Sequence, residues 1–139
     1  MNTETEALAR RAIACPAWRW MPGMLMAYPK PRGAFGQVVY PSHARIADLP
    51  EPIGRGWGVI DPSSIGQGGL PDLSDPPTLG ALFYLVRESF GPTFHLIAQG
   101  GWLAQGARLP NGATVNLGIC EPTEAAALVA ALEAASPAP

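Results

Sequence analysis

The segment Leu70–Gly91, LPDLSDPPTLGALFYLVRESFG, constrains this chain more than any other, because its two ends and its interior all point to one structure. Asp75 is a natural N-cap whose carboxylate can accept an orphan backbone N–H, and Pro76 suits the first helical position, where a missing N–H costs nothing. Leu79, Leu82, Phe83, Val86 and Phe90 then recur at three- and four-residue spacing, one face of a 3.6-residue period. Gly91-Pro92 stops the pattern. The spacing predicts a buried helix that divides the chain into two unlike halves.

The first half is basic, aromatic and irregular. Residues 1–57 hold seven Lys/Arg and four acids, a net +3, whereas residues 58–139 hold two basic and seven acidic residues, a net −5. Arg10, Arg11, Arg19, Lys30, Arg32, Arg45 and Arg55 are interleaved with Trp18, Trp20, Tyr28, Phe35, Tyr40 and Trp57. Guanidinium groups beside aromatic faces can bind planar anionic ligands, although the same pattern also describes a solvated surface over ordinary core aromatics. If they converge, Trp18, Arg19, Trp20, Arg55 and Trp57 are the candidate ligand-binding residues. The whole-chain charge of −2 is too small to draw nucleic acid or a membrane surface.

Thr3 and Glu6 make a capping-box pattern ahead of a short helix that Pro16 ends. Trp18 and Trp20 then read as one side of an extended strand, which breaks at Pro22-Gly23 and resumes over Met24–Tyr28. The clustered methionines serve as core filler or as a plastic binding surface. Residues 29–69 are rich in Pro and Gly and carry short strand patterns at Gln37–Tyr40, Ala44–Ala47 and Trp57–Ile60. Gly54-Arg55-Gly56-Trp57-Gly58 lacks the spacing of a dinucleotide-binding loop and reads as a turn. Beyond the central helix, Thr93–Ala98 and Gly101–Ala104 flank Gln99-Gly100, while Arg108–Leu109 and Ala113–Ile119 flank Pro110-Asn111-Gly112, two hairpin signals. Phe94, Leu96 and Ala98, and likewise Val115, Leu117 and Ile119, alternate with their neighbours to present one apolar face. Glu121-Pro122-Thr123-Glu124 opens a last helix with the stripe Ala125, Leu128, Val129 and Leu132.

With 139 residues, 47% of them apolar, the chain suits one domain with a real core, 1–139, carrying an irregular segment at 29–69. The expected fold class is α+β: a mostly antiparallel sheet, a meander, with two or three helices packed on one face. The N-terminal residues have no apolar stretch of signal-peptide type and no run is long enough for a membrane span, so a soluble, intracellular protein is expected.

Chemistry is sparse. His43 and His95 have no third ligand at fixed spacing, so neither a metal nor any other cofactor is expected. Cys15 and Cys120 form no CxxC and read as buried, reduced thiols. Cys120 and His95 could share a sheet as a thiol–imidazole pair, although such a Cys is more often inert packing. Asp72 and Asp75 are explained by capping. No phosphate-binding loop or nucleophile elbow is present.

The motifs Arg19-Trp20-Met21-Pro22-Gly23-Met24, Leu70-Pro71-Asp72-Leu73, Pro77-Thr78-Leu79-Gly80, Leu85-Val86-Arg87-Glu88 and Pro122-Thr123-Glu124-Ala125-Ala126-Ala127-Leu128 resemble a group of small proteins of tailed bacteriophages and prophages. The resemblance implies a phage origin and a place of action in the host cytoplasm, transfers no active-site residue, and does not extend over 29–69. From it follows the expectation of an accessory protein, not an enzyme, that inhibits a host defence system. It would do so by binding a host effector protein or by sequestering a nucleotide-like signal in a pocket shared between subunits of a homo-oligomer. The alternatives are a small hydrolase or transferase using His43, His95 or Cys120, and a virion or assembly component.

Overall fold

The structure, a computed structural model, describes residues 2–28, 43–46, 59–60, 68–108 and 114–135. In chain order these form α1 (Thr3–Ala14), β1 (Leu25–Ala27), β2 (His43–Ile46), β3 (Val59–Ile60), β4 (Leu70–Pro71), α2 (Pro76–Phe90), β5 (His95–Ala98), β6 (Trp102–Arg108), β7 (Thr114–Glu121) and α3 (Glu124–Ala135). The fold class is α+β, as the sequence predicts. The strands form two sheets, a four-stranded one in the order β3-β2-β1-β4 and a three-stranded meander β5-β6-β7. The described residues group into two compact units, one of residues 1–10 and 19–81, the other of 11–18 and 82–139.

In the first unit, β1 pairs antiparallel with both β2 and β4, while β3 joins β2 in parallel. The predicted strand at Ala44–Ala47 is β2, shifted by one residue, and the one at Trp57–Ile60 shortens to β3; Gln37–Tyr40 and the glycine-rich 54–58 lie outside the described residues. The extended strand expected at Trp18–Trp20 is not formed: those residues join no ladder, and pairing begins only at Leu25. Between them Gly23 takes φ 88°, a left-handed conformation that a side chain resists. Met24 and Met26 are fully buried, so these two methionines fill the core.

The start of α2 holds this unit together through one buried hydroxyl and one carboxylate. Asp75 caps the helix as predicted, its Oδ2 accepting the Thr78 N–H at 3.0 Å. The same oxygen accepts the Thr78 hydroxyl proton at 2.7 Å, and Thr78 Oγ1 in turn accepts the Leu25 N–H of β1 at 2.8 Å. Arg45 of β2 completes the cluster with a forked contact, Nη1 to Oδ2 at 2.9 Å and Nη2 to Oδ1 at 3.2 Å, and Nη1 also reaches the Gly23 carbonyl at 2.8 Å. Thr78 is the polar member of the buried stripe that continues through Leu82, Leu85 and Val86. Burial resists ionisation of Asp75, but the hydrogen bonds from Arg45 and Thr78 outweigh it and hold the carboxyl below its ordinary value.

In the second unit the Gln99-Gly100 hairpin forms as predicted: Gly100 and Gly101 adopt φ 67° and 145°, and the Gln99 N–H donates to the Gly101 carbonyl at 2.8 Å. Pairing of β6 with β7 steps from Ala104↔Ile119 to Gln105↔Asn116, so β7 carries two extra residues at Leu117 and Gly118. Gly118 absorbs the kink at φ 66°. Because this insertion is even, Leu117 stays on the face of Ile119 and lies over Gly106, where an added Cβ would come within 3.1 Å of the leucine side chain; a second shift, of one residue, follows between Gln105 and Arg108. The alternation expected in β5 is blurred, since His95, Leu96 and Ile97 are all half-buried; the anchor is Phe94 just before the strand, fully buried against Phe83 and Phe90.

Helix α3 packs against β6 and β7. Thr123 is its N-cap, accepting the Ala126 N–H at 3.1 Å, whereas Glu121, placed by the sequence at the helix start, is the last residue of β7. Its buried face is Ala127, Leu128, Val129, Ala131 and Leu132, with Ala125 half-buried. At α1 the capping box is displaced by one residue. Asn2 Oδ1 accepts the Thr5 N–H at 2.8 Å, so Asn2 is the cap, and Glu6 is drawn forward to Arg10 at 2.6 Å.

Two outcomes test this fold. Asp75→Asn keeps an N-capping oxygen but loses the ion pair, so it lowers stability at pH 7. Because the folded-state carboxyl lies below its unfolded value of about 4, the wild-type advantage is full above that pH and shrinks as pH falls further. Urea unfolding at several pH values reads both effects, and Thr78→Val, which strands the Leu25 N–H, costs about 1–3 kcal/mol in the same assay. Gly80 is exposed within α2 and an added Cβ would meet nothing within 4 Å, so Gly80→Ala raises stability by about 0.5–1 kcal/mol, read as a higher urea midpoint.

Candidate functional site

The aromatic and basic stretch begins where α1 ends. Pro16 cannot continue the helix, and the chain turns through hydrogen bonds from Cys15 N–H to the Ala12 carbonyl at 3.1 Å and from Trp18 N–H to the Cys15 carbonyl at 2.9 Å. Trp18 and Trp20 are half-buried and Arg19 between them is exposed. Trp18 belongs to the second unit, Arg19 and Trp20 to the first, and Arg55 and Trp57 lie outside the described residues.

Much of the basic surplus is consumed within the fold. Arg10 pairs with Glu6, Arg45 with Asp75, and Arg11 with Glu133 through Nε to Oε1 at 2.9 Å and Nη2 to Oε2 at 2.8 Å. In the last pair, the hydrogen bond raises the arginine and lowers the carboxylate from their ordinary values. Both side chains are substantially exposed, 51% and 39%, so the pair contributes little to stability, about 1 kcal/mol or less. Arg19 is exposed and stands on backbone outside any helix or strand.

The Arg11–Glu133 pair rims a shallow, open depression of about 250 Å³ lined also by Ala14, Cys15 and Pro16. Cys15 is 7% exposed and its Sγ donates to the Arg11 carbonyl at 3.3 Å. Burial pushes this thiol up, the Glu133 carboxylate adds to the effect and Arg11 opposes it, so Cys15 stays protonated and is a poor nucleophile.

The histidines and the other cysteine are dispersed. His43 Nε2 on β2 lies 3.8 Å from Asp72, whose Oδ1 accepts the N–H of Ser74 in a local turn at 3.0 Å. His95 Nδ1 contacts the Thr93 carbonyl at 2.9 Å. His95 and the exposed Cys120 do share one sheet and one face, but His95 pairs with Gln105 and Cys120 with Leu103 across the intervening β6. Two strand spacings, roughly 10 Å, separate them, so the thiol–imidazole pair does not form. Among the described residues no three His, Cys, Asp or Glu side chains are grouped to hold a metal ion, and no helix is long and apolar enough to cross a membrane.

No protein-family model, curated protein or solved structure matches this chain.

Cys15 is buried as the sequence predicts, but Cys120 is exposed, on the edge strand β7, so the two thiols differ in reach. A disulfide-exchange reagent such as Ellman's should label Cys120 rapidly in the native protein and Cys15 only slowly, with full labelling in denaturant. Cys120→Ser should remove the fast phase alone, and a fast phase that survives it would contradict the burial of Cys15.

Proposed function

We propose that this protein acts by stoichiometric binding, and that its contact surface for a planar anionic ligand of the nucleotide class is centred on Arg19 and Trp20. The observation that carries the reading is that Arg19 is exposed and Trp20, next to it in the chain, is half-buried, on backbone that no ladder uses. The indole offers a stacking face and the guanidinium a forked donor set for phosphate, a combination that tolerates many bases. On the resemblance to phage and prophage proteins, the ligand is a nucleotide signal of a host defence system, sequestered in the host cytoplasm.

The test is calorimetric titration of the purified protein with a panel of mononucleotides, cyclic nucleotides and cyclic dinucleotides, followed by mass spectrometry of the recovered ligand. At least one nucleotide is expected to bind and to be recovered unchanged. Stacking and charge-assisted contacts worth about 1–3 kcal/mol predict a Kd weaker by about 5- to 150-fold for Arg19→Ala and Trp20→Ala. Arg10→Ala, which breaks only the contact to Glu6, should bind as the wild type does. Absence of binding across the panel, a chemically converted nucleotide, or full affinity in both site variants would overturn the reading; co-purification of a host protein without nucleotide binding would move it to an effector inhibitor.

A further inference from the structure

We draw no further inference here: the strongest candidate, the shallow depression between the C-terminal end of α1 and the last turn of α3 beside Cys15, is an open apolar groove rimmed by an already paired Arg11 and Glu133, and nothing in the structure shows what covers it.

Discussion

The first unit depends on the carboxylate of Asp75. A helix N-terminus leaves N–H groups without partners, and a short strand such as β1 has a backbone donor to satisfy as well. One side chain answers both demands: Asp75 caps the Thr78 N–H directly and, through the Thr78 hydroxyl, fixes the acceptor for Leu25 of β1. Arg45 then ties β2 to the same oxygens. A network in which every member is satisfied specifies one arrangement, because breaking any link leaves a partly buried polar group without its partner. The pairing of β1 with β2 and the entry of α2 are therefore set together.

This use of Arg45 bears on function as much as on folding. Charge counts make the first half of the chain look like an anion-binding surface, but Arg10, Arg11 and Arg45 are each turned onto a carboxylate. An arginine already engaged by a forked carboxylate contact must give up those hydrogen bonds to hold a ligand phosphate. Within the described residues, three of the first half's arginines are thereby committed to carboxylates of the fold. Net charge by segment says which ligands a region could attract; ion pairing says which residues are left to do it.

The second unit shows how small residues permit a regular meander to be bent. Gly118 supplies the left-handed turn that two extra residues in β7 require, and Gly106 leaves the space that Leu117 occupies. Leu117 and Ile119 stay on one face of β7 across the two-residue insertion, and α3 packs against β6 and β7. The buried thiol of Cys15 sits at the end of α1 in this unit, and its raised pKa suits a packing residue rather than a nucleophile.

What was legible in the sequence is what local chemistry decides. Asp75-Pro76 and Gly91 bound α2 because a cap and a stop act on backbone groups within a turn of themselves, and the Gln99-Gly100 hairpin follows from a short-range backbone preference. The same locality limited the reading: Asn2 and Thr3 are both acceptable caps, and the geometry of the first turn chose Asn2. The role of Thr78 had no sign in the sequence, and Trp18–Trp20 reads as a strand, since neither a buried hydroxyl nor an unfilled ladder has a signature in spacing. Only tertiary structure could join Arg45 to Asp75 across 30 residues, or Arg11 to Glu133 across 122, and could hold His95 and Cys120 apart on opposite edges of one sheet. By itself the sequence determined the helices, the meander of the second unit and the α+β class, through interactions a few residues long. Which distant charges are paired was decided by the packing of distant segments, because an ion pair depends on distance in space and carries no fixed separation in sequence.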